Sequence, residues 1–321
     1  MEKTIKQAKR RSTWRTVLIT IIVLAVTVIG GSMVNKAVTR FMQSQAQVSF
    51  DTLQQVIGAN EFIGTKSNYP GLLGGQTQYK TFKYIEGKVV PTGEGAYGYG
   101  FLRDEVIFEG SSSPVVFGSI SSEMDLDYQR YNEFGQREML FFYPFLQYKE
   151  VRNDLALLAE IGDDKIMEVA LSFEKGYTMQ EALAKLPNEI TTTWLWVKDV
   201  DEEADTTGKR LNEDGEVVGS FNLLRSEHTV YGFSLLTFNG DLAEEPAIQF
   251  LRAIGSGKRQ KTSLQDEYER LDKVIGGEDG LALNDIVIYG AVVTGNKETL
   301  ASLQNLDFIK ASSIGVITDK Y

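Results

Sequence analysis

The sequence predicts an α/β (α+β) chain with one N-terminal transmembrane helix, a β-rich segment, and a layered mixed-sheet domain containing two βαβ units. Three observations carry this expectation. Residues 17–34, VLITIIVLAVTVIGGSMV, hold no charge. Short alternating or apolar runs separated by Gly and Ser fill residues 79–117. A strand, a helix and a strand follow one another twice, over 166–197 and over 286–317.

The uncharged stretch is the organising element. Its eighteen residues, at about 1.5 Å each, span roughly 27 Å, close to the roughly 30 Å of a bilayer hydrocarbon core. Val17, Ile21, Leu24, Val28 and Val34 mark it as a membrane anchor. Lys3, Lys6, Lys9, Arg10, Arg11 and Arg15 precede it, whereas only Lys36 and Arg40 closely follow. The positive-inside rule then assigns the N-terminus to the cytoplasm, with Lys9, Arg10, Arg11 and Arg15 setting the topology. Trp14 sits where an interfacial aromatic belongs, and Gly30-Gly31-Ser32 offers a small-residue surface for helix pairing. A cleaved signal peptide is the competing reading, with Ser44-Gln45-Ala46 as its cleavage site. The stretch is longer than an h-region of about 7–15 residues, and Lys36 and Arg40 intervene, so a retained anchor is expected.

The chain divides into a short basic cytoplasmic tail (1–16), the transmembrane helix (17–34), a juxtamembrane stalk (35–56), a β-rich segment (57–150) and an α/β C-terminal domain (151–321). Val48, Phe50, Leu53 and Val56 keep near-helical spacing in the stalk. Residues 57–76, with Gly58, Gly64, Pro70, Gly71, Gly74 and Gly75, read as loop. Tyr79, Thr81, Lys83 and Ile85 alternate with Lys80, Phe82 and Tyr84, and Glu86-Gly87 turns the chain into Lys88-Val89-Val90, a hairpin. Tyr97–Phe101, Val106–Phe108 and Val115–Phe117 are further short strands, and Met139–Tyr143 is a buried strand ended by Pro144.

In the C-terminal part Asn153 caps a short helix. Ile166–Phe173 is a strand, Thr178-Met179-Gln180-Glu181 a capping box opening a helix that Pro187 stops, and Thr191–Val197 a strand. Ile286–Val293, a helix through Leu300 and Leu303, and Ile309–Ile317 repeat the order. Each unit predicts a right-handed crossover between parallel strands. Between the units lie a polar, acidic loop or loose hairpin (199–219), whose acidic clusters read as solvated, a strand Thr229–Phe238, and two amphipathic helices. Ala247, Phe250, Leu251 and Ile254 form the core face of the first, and Leu264, Tyr268, Leu271 and Ile275 that of the second.

Residues 1–40 carry eight basic and one acidic residue, so the remaining 281 carry 25 basic against 43 acidic. A domain that acidic repels nucleic acid and anionic lipid, which excludes a DNA- or RNA-binding role. The chain has no cysteine. A disulfide scaffold is excluded, and a domain this size needs none.

No constellation of catalytic, cofactor-binding or metal-binding residues emerges. Gly93–Gly98 spells GxGxxG but leads into strand material, where no helix N-terminus exists to hold a pyrophosphate. Gly255-Ser256-Gly257-Lys258 lacks the first Gly and the hydroxyl of a P-loop and reads as an interhelical loop. Ser172-Phe173-Glu174-Lys175 spells SxxK, but Ser172 closes a strand. His228, the sole histidine, leaves no multi-histidine metal site and reads as structural or surface. The clusters Asp199–Asp205 and Asn212–Gly215 lack the calcium-loop pattern.

Several segments together resemble the sigma-factor regulator family, membrane-anchored anti-sigma factors of extracytoplasmic-function sigma factors in Gram-positive bacteria. The N-terminal resemblance lies in the anchor, Tyr69-Pro70-Gly71-Leu72-Leu73-Gly74-Gly75, and Tyr84-Ile85-Glu86-Gly87-Lys88-Val89-Val90-Pro91. The C-terminal one lies in Val169–Phe173, Trp194-Leu195-Trp196 and Tyr289–Gly295. The resemblance implies a non-enzymatic, single-pass cell-membrane regulator, with an extracytoplasmic domain that serves signal transduction and transcription regulation. Family members that hold a sigma factor carry a folded cytoplasmic segment before the anchor, and about sixteen residues precede Val17 here. The expected partners are therefore the membrane, a sigma factor or a second membrane regulatory protein, and an envelope component. The alternative is a tethered module for cell-wall or lipid ligands, with an anchored hydrolase third.

Overall fold

The computed structural model describes residues 2–101, 108–110, 115–118, 128–132, 134–146, 148, 151–202, 209–211, 217–219, 224–276 and 281–321. Its first element, α1 (Glu2–Leu53), is one unbroken helix of 52 residues, about 78 Å long. The uncharged window in its middle is wholly exposed. Farther along, the same helix enters the fold, and Ala46, Ser49, Phe50, Thr52 and Leu53 are buried. Phe50 meets the rings of Tyr79 and Tyr97 at 4.7 and 4.6 Å between centroids.

Four strands pack beside that end: β1 (Phe62–Pro70), β2 (Gly74–Ile85), β3 (Lys88–Gly100) and β4 (Phe108–Gly110), in that order and antiparallel. The β2–β3 hairpin turns at Glu86-Gly87 as expected, with φ of +50° and +78°, a conformation that suits a two-residue hairpin loop. The expected loop over 57–76 is largely strand instead. Gly74 and Gly75 are not loop punctuation: a Cβ on either would collide with the backbone carbonyl or hydroxyl of Tyr99. The GxGxxG run lies in the interior of β3.

Next come β5 (Val115–Gly118) and β6 (Tyr128–Tyr131), which pair together, and β7 (Leu140–Phe142), the expected buried strand. Val106 and Ile107 of a further expected strand lie outside the described residues. A 3₁₀ helix, Asp154–Glu160, follows Asn153, whose side chain makes no cap and instead accepts a hydrogen bond from the Ser312 hydroxyl.

The C-terminal core is a five-stranded sheet. Its strands are β8 (Lys165–Thr178), β9 (Thr191–Val197), β13 (Gly232–Ser234), β14 (Val287–Asn296) and β15 (Ile309–Asp319), in the order β13-β9-β14-β8-β15. Between β9 and β13 lie β10 (Lys209–Leu211), β11 (Val217–Gly219) and β12 (Leu224–Ser226); β10 pairs β11, and β12 pairs β7. Helix α2 (Met179–Lys185) opens on the Thr178/Glu181 capping box, α3 (Pro246–Gly257) and α4 (Gln265–Gly276) bury the expected stripes, and α5 (Lys297–Ala301) links β14 to β15.

The two strand–helix–strand units are present but split. β8 and β9 run parallel, yet β14 lies between them and pairs antiparallel with both; β14 and β15 run parallel with β8 between them. The sheet expected to be mixed is thus antiparallel at every strand pairing. Equal crossover lengths fixed strand direction, but interleaving of the two units fixed the neighbours. The result is a split βαβ arrangement of ferredoxin-like type, with β13 added at one edge.

Alternation along the strands sorts the two faces. Met167, Val169, Leu171, Phe173, Leu195 and Val197 join α2, α3, α4 and the end of α1 in one core; Ala170, Trp194, Trp196, Tyr289 and Val292 join Met139, Phe141 and Tyr143 in the other. Three further expectations need correction. Ser172 does not close a strand, because β8 continues to Thr178 as a paired edge of β14. Gly255-Ser256-Gly257 is the last turn of α3. The expected strand over 229–238 shortens to Gly232–Ser234, since Thr229 and Val230 turn back to the Ser226 carbonyl.

Candidate functional site

Inside β2, the inward phase that carries Tyr79, Thr81 and Ile85 also carries Lys83, which is fully buried. Its ammonium donates to Glu168 Oε1 of β8 at 2.6 Å and to Glu227 Oε1, just after β12, at 2.9 Å. Glu168 Oε2 accepts from Asn60 Nδ2 at 3.1 Å, and its Oε1 from the Val316 N–H at 3.2 Å. Glu227 Oε2 accepts from the Met139 N–H at 2.8 Å. Each acceptor has partners beyond the lysine, the condition under which a buried ion pair avoids a net penalty.

The network continues through His228. Its Nε2 lies 3.4 Å from Glu138 Oε1 and 3.9 Å from Glu227 Oε1, and its Nδ1 3.7 Å from Glu61 Oε2. Arg130 Nε stands 3.0 Å from Glu138 Oε2. Three bases therefore face four carboxylates in one patch, with Lys83, Glu168, Glu227 and Glu138 buried and His228, Arg130 and Glu61 partly exposed.

The local electrostatics follow from that balance. Burial works against the Lys83 ammonium, yet Glu168 and Glu227 hold its pKa above the ordinary value. Burial likewise opposes the His228 imidazolium, but hydrogen bonds to Glu138 and Glu61 and the charge of Glu227 carry its pKa well above the usual one. Burial would raise Glu61, but His228 and Lys83 bring it down to about 2. Glu138 is lowered in the same way by His228 and Arg130 against its burial. Glu227 is the exception: burial pushes it up, outweighing Lys83 and His228, and the nearby Glu168 adds to the rise.

A second polar group lies on the other side of the sheet's aromatic core. Asp199, expected in a solvated loop, is fully buried; its Oδ2 lies 3.0 Å from Arg225 Nη2, and its carbonyl accepts from Arg270 Nη1 at 2.6 Å. Burial raises the Asp199 carboxyl despite Arg225 and Arg270. Glu202 accepts a hydrogen bond from the Tyr289 hydroxyl, while Glu203, Asp205 and Asn212–Gly215 lie outside the described residues. Ser172 of the SxxK run is buried and accepts from the Phe142 N–H at 2.9 Å. Among the described residues, no cluster of three acidic or histidine side chains is arranged to hold a metal ion.

The foot of α1 lies beside the Lys83 cluster. An open cleft of about 430 Å³ is bordered by Asp51 of α1, Gln55 just beyond its end, Phe62 of β1, Glu61, Trp194 and Phe250. Glu61 thus belongs to both the cleft and the ionic network.

The anchor residues Val17, Ile21, Leu24, Val28 and Val34 are exposed along α1, and Lys9, Arg10, Arg11 and Arg15 precede them on the same helix. A Cβ at Gly30 or Gly31 would meet no atom of the chain. None of these residues comes near the ionic cluster. Lys83, Glu168, Glu227, Glu138 and Asn60 escaped the sequence reading. The signal was a lysine on the inward phase of β2 and a lone acid in the apolar run Ile166–Phe173.

Comparison with known families accounts for most of the chain. Residues 2–90 match the family model described as sigma factor regulator N-terminal, and residues 158–316 the one described as sigma factor regulator C-terminal. No curated protein and no solved structure matches. Lys83 lies in the first matched stretch, and Glu168 and Glu227 lie in the second.

Proposed function

The chain belongs to the sigma factor regulator family, and from that premise we propose that it is a non-catalytic, single-pass membrane regulator whose folded domain senses the cell envelope. α1 spans the cell membrane at 17–34, with the basic residues Lys9–Arg15 on the cytoplasmic side and the folded domain outside. The observation that carries this reading is the continuity of α1. The helix that holds the exposed apolar window is the same helix whose Phe50 and Leu53 are buried in the domain core. An event in the domain reaches the membrane without crossing a flexible joint. On the inner side the signal passes to a sigma factor, either directly or through a second membrane protein paired at Gly30-Gly31-Ser32.

The test has two arms. Deleting the gene changes the output of a sigma-dependent reporter, and impermeant thiol reagents label a cysteine placed at exposed Leu242, but not one at Gln7, in intact cells. An unchanged reporter across envelope stresses removes the regulatory role. Labelling at Gln7 reverses the topology.

The cleft beside α1 favours a companion reading, a tethered module that binds an envelope ligand without any sigma factor. Saturable binding of the protein to purified sacculi, together with an unresponsive reporter, selects that reading.

A further inference from the structure

The segment Tyr69–Gly75 takes no part in the ionic cluster, and its apolar side chains are left uncovered. It forms the tip of the β1–β2 hairpin, where Leu72 is 86 % exposed, Tyr69 56 %, and Phe101, at the end of β3, 64 %. Exposed leucines at a hairpin tip are costly in water unless something covers them. The position of the tip identifies the cover.

The hairpin lies lengthwise along α1. Phe50 packs on Tyr79 and Tyr97, Ala46 shares a core with Tyr99, and Asn35 fastens the tip, donating to the Gly71 carbonyl at 3.2 Å and accepting from the Leu73 N–H at 2.6 Å. Fifteen helical residues from Phe50 back to Asn35 cover about 22 Å. Six strand residues from Tyr79 back to Leu73 cover about 20 Å. The two run side by side to the same level, and that level is one residue past Val34, the last residue of the apolar window. Phe101 is drawn to the same place, its N–H donating to the Leu73 carbonyl at 2.9 Å. Lys36 and Arg40 on α1 add positive charge suited to lipid phosphates.

We propose that this tip is a second membrane contact: Leu72 and Leu73, with Tyr69 and Phe101 beside them, dip into the interfacial layer of the leaflet facing the folded domain. Tyr69 sits where interfacial aromatics concentrate, with its ring in the apolar layer and its hydroxyl in the headgroups. The contact fixes the azimuth of the domain about α1, so that one face of the domain always lies against the bilayer. This inference rests on the membrane reading of α1, and its test separates the two.

The chain has no cysteine, so single-cysteine variants take a nitroxide at one chosen site. The full chain is placed in phosphatidylcholine nanodiscs, and collision of each label with oxygen is compared with collision with a polar nickel chelate. Leu24→Cys reports the anchor, Leu72→Cys the tip, and Leu242→Cys a position 79 % exposed near Phe238, which contacts Tyr84 at the opposite end of β2. The expected result is an oxygen-favoured ratio at Leu24 and Leu72 and a nickel-favoured ratio at Leu242. A nickel-favoured ratio at Leu72 with Leu24 still oxygen-favoured overturns the second contact and leaves the anchor standing. A nickel-favoured ratio at Leu24 removes the membrane reading, and the second contact with it.

Discussion

Lys83 and Glu168 meet 2.6 Å apart where neither side chain is exposed, and they come from the two separately matched halves of the chain. The pair joins the strand beside α1 to the second strand from the edge of the five-stranded sheet. A bond so placed ties the two matched stretches together at a buried point.

Lys83→Met leaves Glu168 and Glu227 buried without their shared cation. The expected loss is about 3–5 kcal/mol, the usual consequence of breaking one side of a buried ion pair. Urea unfolding of the full chain in detergent measures it. Adding Glu168→Gln and Glu227→Gln to Lys83→Met removes the orphaned charges and recovers a good part of the loss; no recovery would mean that the charges are not what the lysine answers.

His228 gives a pH dependence with a definite sign. Its pKa in the folded chain stands well above the ordinary value, with Glu61, Glu138 and Glu227 facing it and Lys83 nearby. The stabilisation is complete below about 6.5, the value in an unfolded chain, and is lost as pH rises through the folded value. Glu61 acts at the other end: its folded value of about 2 gives stability present above about 4.5 that falls away as the solution is acidified. Melting temperatures of wild type and His228→Gln should therefore converge at alkaline pH and separate near pH 6. Parallel curves would rule out the histidine as the titrating group.

Phe50 is the largest buried side chain by which α1 packs on the N-terminal sheet. Phe50→Ala opens a cavity against Tyr79 and Tyr97 and costs about 3–5 kcal/mol. Hydrogen exchange in β2 and β3 should accelerate, and the sigma-dependent reporter should lose its response to envelope stress even at a temperature where the variant stays folded. A folded variant with a full response would free the helix–sheet contact from any part in signalling.

Two glycine substitutions should differ in sign. Gly232→Ala forces a methyl against the Leu195 carbonyl and the Trp194 ring and loses about 1–3 kcal/mol by overpacking. Gly255→Ala, in the last turn of α3 with only the flexible Arg259 guanidinium at 3.8 Å, gains about 0.5–1 kcal/mol from helix propensity. Thermal unfolding of both variants settles the comparison.

Gly30→Leu tests pairing in the membrane at a position where an added Cβ has no atom within 4 Å outside its own helix backbone. If Gly30-Gly31-Ser32 is the pairing surface, cross-linking of α1 to its neighbour in membranes drops several-fold, in line with the close approach that small residues permit. Unchanged cross-linking moves the pairing surface elsewhere.

Elements whose signal is local were legible in the sequence. The Thr178/Glu181 box, the Glu86-Gly87 turn and the α3 and α4 stripes each announce themselves within a dozen residues, and the apolar window within eighteen. The start of β2 was not, because Gly74 and Gly75, which Tyr99 requires for close packing, look the same as glycines that end a strand. Sheet order escaped for a different reason: crossover length sets strand direction but says nothing about a third strand slipping between. The ionic cluster is the least local of all, with Lys83 separated from Glu168 by 85 residues and from Glu227 by 144. Lys83 on the inward phase of β2 and Glu168 within an apolar strand each flagged a buried charge that needed a partner. The partner itself was written only in the tertiary fold.

A domain on a loose linker has six rigid-body freedoms relative to the bilayer, and thermal motion averages over them. On the proposed membrane reading, the unbroken helix Glu2–Leu53 is a shaft set into the domain core, and the tip contact at Leu72 removes rotation about its axis, so tilt and sliding along the axis remain. On that reading, whatever the domain binds is expressed through those two coordinates. The nineteen residues that follow Val34, through Leu53, make an arm of about 28 Å, so a tilt of about five degrees at the bilayer moves its far end by about 2–3 Å. The read-out to look for is therefore a change in the angle of α1 against the membrane normal, rather than a change in the fold of the domain.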